Sequence, residues 1–445
     1  MNEKIFKVYD IRGVYPDEIN EDAAYLIGKA FVDFLGCNSV VVGRDMRKSS
    51  PSLFEALARG ITEQGANVID IGMVTTPMLS FAVMNWNAET GIMISASHNP
   101  SQYNAFKLIK NEGKVAQQIF DGGGIEDIKE RCLRNNFSAS EKKGSITQKD
   151  IKAEYRARLE SIADGIKGLK VVCDYGNGVG SISAKPVFDS LPVEVVHMYA
   201  EPNGDFPNHE PNPHEVENLK DLQKKVVEEQ ADLGIFFDGD ADRSQLVNEK
   251  GEIIFPDVAL GVLAVDALGE KKKGKVFHDL RFTKSVSEQI AENGGEAVMM
   301  RVGNPFYKEA LKDDDGLIAG EFSGHIMFRE FFGIDDGLYS ALKFLGIMCK
   351  QRKKASELAS PFQKYFQTEE INMKVTDADA TIEKIREKYS DGKLITIDGI
   401  LIDYGDWWLS LRKSNTEPLV RLRMEAKEKK LLEEKRTEVL GIIRG

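Results

Sequence analysis

Short apolar runs alternate with polar loops and amphipathic stretches through the first three quarters of the chain. Ser39-Val-Val-Val-Gly43 predicts a buried parallel strand. Ser50-Pro51 predicts a helix start, with Ser50 as N-cap and Pro51 as the first helical residue. Leu53, Leu57 and Ile61 then share one face, and Gly65 stops the helix. Asn67 to Ile71 and Gly91 to Ser95 predict two further strands. Strand and helix in this alternation predict βαβ units with crossover helices.

The rhythm restarts twice, at Leu169 to Asp174 (LKVVCD) and at Lys275 to Leu280 (KVFHDL). Each of the three blocks also holds a Gly-bearing apolar strand that empties into a polar loop: GIMISASHNP from Gly91, LGIFFDGDADR from Leu233 and GLIAGEFSGH from Gly316. The triplication is weak by identity. Its force lies in placement, because open α/β sheets collect ligands just beyond the C-terminal ends of their strands.

From about Thr368 the pattern changes to strand, helix (Ala378 to Lys388), strands around an Asp398-Gly399 turn, and a charged helix after Ala426. That predicts an α+β module with an antiparallel sheet. The division expected is residues 1–150, 151–252, 253–367 and 368–445: three similar mixed-sheet α/β domains and a C-terminal α+β domain.

Length supports several domains, since 445 residues exceed what one hydrophobic core serves. Hydrophobic residues at 42% and charged residues at 29% exclude a disordered or fibrous chain. The net charge of −12 argues against a chain-wide grip on a nucleic-acid backbone, although a local cation cluster still suits a small anion. Cys37, Cys132, Cys173 and Cys349 lie far apart, with no CxxC pair, and read as reduced thiols. The N-terminus lacks a signal-peptide core, and the longest uncharged stretch, Ile71 to Ala88, is too polar for a membrane span. A soluble cytoplasmic protein is expected.

Four clusters could carry chemistry. Asp238, Asp240 and Asp242 alternate after the strand Leu233 to Phe237 and would repel one another unless a hard divalent cation resolved the charge. A solvated acidic loop is the bland alternative; half of an EF-hand fails because no helix precedes the loop. Ser95-Ala-Ser97-His98-Asn99-Pro100 invites a nucleophile reading, yet adjacent Ser and His seldom reach hydrogen-bonding geometry, and a plain turn competes. Lys107, in the strand Ala105 to Ile109, is either a surface lysine or a proton-transfer group. Glu321, Ser323 and His325 could meet sugar hydroxyls and move protons, or form a satisfied turn. Arg412-Lys-Ser414-Asn415-Thr416-Glu417-Pro418 fits an anion cradle or a polar hairpin turn.

Taken in order, KVYDIRG (7–13), ASHNP (96–100), DGDADR (238–243), GEFSGH (320–325) and RKSNTEP (412–418) resemble the α-D-phosphohexomutase family of phosphomannomutases and phosphoglucomutases. The likeness covers the whole chain. It implies a heart-shaped molecule whose three similar α/β domains and fourth, TATA-box-binding-protein-like domain meet at a central cleft. It makes Ser97 the phosphoserine, which with Asp238, Asp240 and Asp242 would hold one Mg²⁺. Arg12 and Lys107 would flank the reacting hydroxyl, with Arg243 close by and His325 near the proton transfer. Tyr9, Arg281, Asn304, Glu321, Ser323 and His325 would contact the sugar, and Arg412, Ser414, Asn415 and Thr416 the distal phosphate.

The chain departs from the family pattern in places. Ser95 stands where Thr is usual, Ala241 where Gly is commoner, Arg281 where Lys is frequent, and Asn304 where bifunctional members often carry His. Ala241 matters only if its backbone needs a positive φ. The expected activity is reversible transfer between hexose 1-phosphate and hexose 6-phosphate through a 1,6-bisphosphate, with glucose 1,6-bisphosphate as activator. Phosphoglucosamine mutase is the nearest alternative, although it more often has Gln where Phe322 stands. A Mg²⁺-dependent sugar phosphatase is the rival from another class. Protein partners and oligomeric state are not legible.

Overall fold

The apolar runs of the first three quarters are strands, and they lie in three mixed sheets of one plan. The computed structural model describes residues 1–138, 140–271, 273–313, 315–413 and 419–444. In the first sheet the strand order is Ile11–Val14, Tyr103–Asn111, Thr90–Ile94, Ser39–Arg44, Asn67–Met73, Ile146–Gln148. The second runs Ile253–Ile254, Ser244–Asn248, Leu233–Phe237, Lys170–Asp174, Glu194–Met198. The third runs Glu296–Met300, Lys275–Asp279, Gly316–Gly320, Ile326–Phe328, Ile334–Asp335.

One feature of this plan positions the chemistry. Thr90–Ile94, Leu233–Phe237 and Gly316–Gly320 each lie parallel to one neighbour and antiparallel to the next strand in sequence. The connection between them is therefore a reversal of the chain rather than a crossover helix. The three polar clusters occupy those reversals, residues 95–102, 238–243 and 321–325.

The helix after Ser39–Arg44 spans Ser50–Glu63, one residue earlier than its predicted start, with Ser49 in the N-cap position. Ser50 does not cap because its hydroxyl donates to Asp45 Oδ1 at 2.7 Å. The C-terminal sheet is antiparallel throughout, in the order Phe366–Gln367, Leu419–Ala426, Trp407–Lys413, Ile400–Asp403, Lys393–Ile395, with Ile371–Lys374 also on Leu419–Ala426. Its helix Ala378–Lys388 has the predicted bounds.

A single apolar cluster links the first three sheets, reaching from Val41 through Tyr155 and Leu233 to Phe344 and Phe362. At its centre the Phe81 ring stacks on Phe331 at 5.8 Å and meets Tyr155 edge-on at 5.6 Å. The C-terminal domain has its own core around Leu409, Leu422 and Met424. It joins the third sheet through a small cluster of Leu280, Leu401 and Trp408, and through the ion pairs Arg281–Glu370, Lys284–Asp403 and Arg423–Asp257. Among the described residues, no helix is long and apolar enough to cross a membrane.

Candidate active site

Ser97 sits where the chain turns back after Thr90–Ile94, and it does so with a φ of 51°. That left-handed conformation is costly for a residue with a Cβ, so the surroundings must impose it. Part of the restraint is local, since the Ser97 N–H donates to Ser95 Oγ at 3.0 Å. The side chain is 4% exposed. Its Oγ donates to Asp238 Oδ2 at 2.8 Å and accepts from Arg243 Nη2 at 2.9 Å. It also lies 3.3 Å from His98 Nδ1. This corrects the expectation that neighbouring Ser and His stay out of reach: the positive φ rotates the two side chains onto one side. Arg243 Nη2 donates to that same Nδ1, so His98 carries its proton on Nε2. Burial, with the Arg243 charge beside it, holds the imidazole well below the usual histidine range. A hydroxyl gripped between a carboxylate and a guanidinium is placed for group transfer.

Asp238, Asp240 and Asp242 follow the buried strand Leu233–Phe237, and all three are buried. One oxygen from each lies within 4.8 Å of the others. Lys107, from the strand Tyr103–Asn111, reaches across from the first sheet to Asp240 Oδ2 at 2.5 Å and Asp242 Oδ2 at 2.6 Å. Thr76 Oγ1 donates to the same Asp240 oxygen at 2.5 Å. Burial opposes charge on Lys107, but its two carboxylate partners outweigh burial and hold its pKa above an ordinary lysine's. Burial likewise opposes charge on Asp240, yet Lys107 and Thr76 pull that carboxyl down to about 2. Asp238 moves the other way: burial raises it against the pull of Arg243.

Three buried carboxylates against two cations leave negative charge in excess. Asp240 Oδ1 and Asp242 Oδ1 accept no hydrogen bond among the described residues. Three buried carboxylates that converge, with two of their oxygens accepting no hydrogen bond among the described residues, suit a hard divalent cation with oxygen ligands, so the donor set fits Mg²⁺.

The backbone at Ala241 does need a positive φ, which is 61°. Ala241→Gly removes the clash of Cβ with the backbone in that region and is expected to stabilise the fold by about 1 kcal/mol with turnover unchanged. A urea titration checks the stability, and a loss of stability in the glycine variant would contradict the strain.

In the third reversal Ser323 Oγ donates to Glu321 Oε2 at 2.8 Å. His325 Nδ1 lies 2.9 Å from Asp335 Oδ2, an acid that also takes Asn304 Nδ2 at 2.6 Å and Lys308 Nζ at 2.8 Å. Burial lowers the His325 pKa, but Asp242 and Asp335 more than offset it and the net shift is upward. Arg281 is paired with Asp279 and, at 2.8 Å, with Glu370 of the C-terminal domain. The guanidinium of Arg423 lies over the Phe322 ring, 3.5 Å from its centroid. Phe322 thus packs against the C-terminal domain.

Arg12 binds Asp10 at 2.5 Å and Asn99 Oδ1, and is one-fifth exposed. Tyr9 donates to Val302 O at 3.1 Å. Arg412 is buried, 3.2 Å from Asp398 Oδ2, with its Nε unpartnered among the described residues. Ser414, Asn415 and Thr416 lie outside the described residues.

Ser97, Lys107, Arg243 and the three aspartates therefore form one contact network across two sheets. His325 joins it at longer range, 3.8 Å from Asp242 Oδ1. The sequence reading missed Thr76, Asp335 and His214, whose Nε2 accepts from Arg243 Nη1 at 3.2 Å. Thr76 carried a signal: Thr75-Thr76-Pro77 closes a strand and opens a helix, with the Thr75 hydroxyl capping Met78 N.

Four family models match the chain in succession: phosphoglucomutase/phosphomannomutase alpha/beta/alpha domain I over residues 3–131, domain II over 149–251, domain III over 256–365, and the C-terminal domain over 370–442. A phosphomannomutase/phosphoglucomutase of Pseudomonas syringae pv. tomato is 40% identical over 97% of this chain and 93% of its own length. A phosphoglucomutase of Neisseria gonorrhoeae is 38% identical over 95% of this chain and 93% of its own. The crystal structure of a phosphoglucomutase/phosphomannomutase family protein from Burkholderia thailandensis superposes with a TM-score of 0.90, at 34% identity, covering 100% of this chain and 98% of that one.

Proposed function

The chain belongs to the phosphoglucomutase/phosphomannomutase family and is a phosphohexomutase, and on that premise we propose how its residues divide the work. Ser97 carries the phosphoryl group, gives it to the free hydroxyl of a hexose monophosphate, and regains the other phosphate from the resulting 1,6-bisphosphate. The observation that carries this reading is the position of Ser97 Oγ, 2.8 Å from Asp238 Oδ2 and 2.9 Å from Arg243 Nη2 at the mouth of the acidic loop.

Asp238, Asp240 and Asp242 would hold Mg²⁺, which neutralises charge on the transferring phosphoryl oxygens when bound. Arg243 aligns Ser97 Oγ and adds positive charge beside it. Lys107 and Arg12 flank the reacting hydroxyl. His325, held by Asp335, serves the proton that this hydroxyl loses. Glu321 and Ser323 take sugar hydroxyls. Arg412, with Ser414, Asn415 and Thr416, holds the phosphate that is not reacting, and glucose 1,6-bisphosphate primes the serine. Peptide mapping after incubation with glucose 1,6-bisphosphate tests the assignment. Phosphate on Ser97 is expected, whereas phosphate on Ser95, or steady release of inorganic phosphate in place of isomerised sugar, would overturn it.

The substrate range follows from the same roles. Mannose and glucose phosphates differ at C2, whereas Glu321 and Ser323 are assigned to hydroxyls that the two sugars share. Discrimination between them should be modest, because a site rejects strongly only where its polar groups are left unpaired. Glucosamine phosphate brings an ammonium to C2 and should be turned over poorly. A parallel comparison of kcat/KM for the three 1-phosphates checks this. A preference for glucosamine 1-phosphate would contradict it.

A further inference from the structure

Arg47 lies outside every motif that carries the family likeness, and its side chain is wholly buried beside Asp45. Its guanidinium is spent on the Ser97 segment. Nη2 donates to Ser97 O at 2.9 Å and Asn99 O at 2.6 Å, while Nη1 donates to Pro100 O at 2.7 Å and Tyr103 O at 3.0 Å. Nε is held by Asp45 Oδ2 at 3.2 Å, and Asp45 also accepts from the Arg47 N–H at 3.0 Å. Three carbonyls of the reversal, and that of Tyr103 at the start of the returning strand, thus accept from one side chain. Pro100 O also accepts from the Tyr103 N–H at 3.0 Å, but the irregular backbone offers no ladder to the Ser97 and Asn99 carbonyls.

The Ser97 carbonyl is confined from its other side as well. A Cβ on Gly239, in the acidic loop, would come within 2.4 Å of Ser97 O. The second domain also closes over Arg47, with Phe206 at 5.2 Å from ring centroid to Cζ and Gly204 pressed against the Arg47 backbone. We propose that Arg47 is a positioning residue for phosphoryl transfer: its fork fixes the left-handed Ser97 turn at a set distance from the acidic loop. The proposal rests on the reading of Ser97 as the transferring residue. Lysine cannot substitute, because its compact ammonium offers three donors from one point and cannot span four carbonyls.

The test uses the full-length enzyme, assayed with glucose 1-phosphate and catalytic glucose 1,6-bisphosphate. Arg47→Lys is expected to lower kcat about 100-fold with KM changed less than about threefold, as befits a displaced reacting group. In Arg47→Gly, millimolar guanidinium chloride should restore at least about tenfold of the lost rate while ammonium chloride does not, a rescue that a loss of folded protein would not show. An Arg47→Lys enzyme that keeps wild-type kcat, or one whose defect lies in KM alone, overturns the proposal. If neither variant folds, Ser95→Ala, which removes the acceptor of the Ser97 N–H, decides it: a lowered kcat at constant KM supports the fixed turn, and an unchanged kcat refutes it. Phosphopeptide mapping of the wild type separates the two ideas. Phosphate away from Ser97 removes the premise, whereas phosphate on Ser97 beside an unimpaired Arg47→Lys enzyme removes the positioning role alone.

Discussion

Ser97→Ala should turn over glucose 1-phosphate at least about 10⁴-fold more slowly than the wild type, the scale seen when a group-transferring nucleophile is deleted. The same variant should take up no phosphate from glucose 1,6-bisphosphate, as intact mass would report. Folding should survive, because Arg243 and Asp238 remain paired with each other at 2.6 Å once the hydroxyl between them is gone. The substitution also keeps a Cβ at the left-handed position, so the turn is no more strained than before. Retained turnover at more than a small fraction of wild type would remove Ser97 from the reaction altogether.

Asp240→Asn has the second largest expected effect. Asp240 Oδ2 anchors both Lys107 and Thr76, and its Oδ1 accepts no hydrogen bond among the described residues. The amide removes one charge from the three that a cation would neutralise, and it leaves the Lys107 ammonium with Asp242 as its remaining carboxylate partner. Loss of one stabilising group at a site of developing charge commonly costs about 10²–10³-fold in kcat, and that is the range expected here. The Lys107 pKa should fall toward the ordinary lysine value, since Asp240 is the larger of the two charges that raise it. Chelation should abolish wild-type activity, with recovery on adding Mg²⁺, and the variant should need more of the ion for half-maximal recovery. Equal Mg²⁺ requirements in the two proteins would separate Asp240 from the metal.

Much of this was legible in the chain itself. Leu233–Phe237 and Ala378–Lys388 have the bounds read from their apolar and helical patterns, since each ends where polar or turn residues break the period. The three polar loops were recognisable because each follows an apolar strand directly. What stayed hidden depends on contacts that leave no trace in the order of residues. Arg47 gives no signal because its partners are backbone carbonyls, which every residue carries. The Ser97–His98 approach arises from one backbone angle. Asp335 holds His325 across a hairpin whose strands are only three and two residues long, too short to show a period. Edge strands such as Ile146–Gln148 exist by pairing alone, with all three residues exposed.

The two kinds of seam between domains differ in what it costs to open them. Sliding the first three sheets apart would expose the hydrocarbon of Phe81, Phe331 and Tyr155 to water. Swinging the C-terminal sheet away would uncover the smaller cluster of Leu280, Leu401 and Trp408 with Met299, Val302 and Ile395, lift Arg423 off the Phe322 ring, and part the buried pairs Arg281–Glu370 and Arg423–Asp257. A bisphosphate that must turn end for end needs room, and opening this seam exposes less hydrocarbon than opening the joints among the first three sheets. Dissolved salt reaches the partly exposed Lys284–Asp403 pair far more than the buried Arg281–Glu370 and Arg423–Asp257 pairs, so ionic strength loosens the rim of that hinge and not its centre.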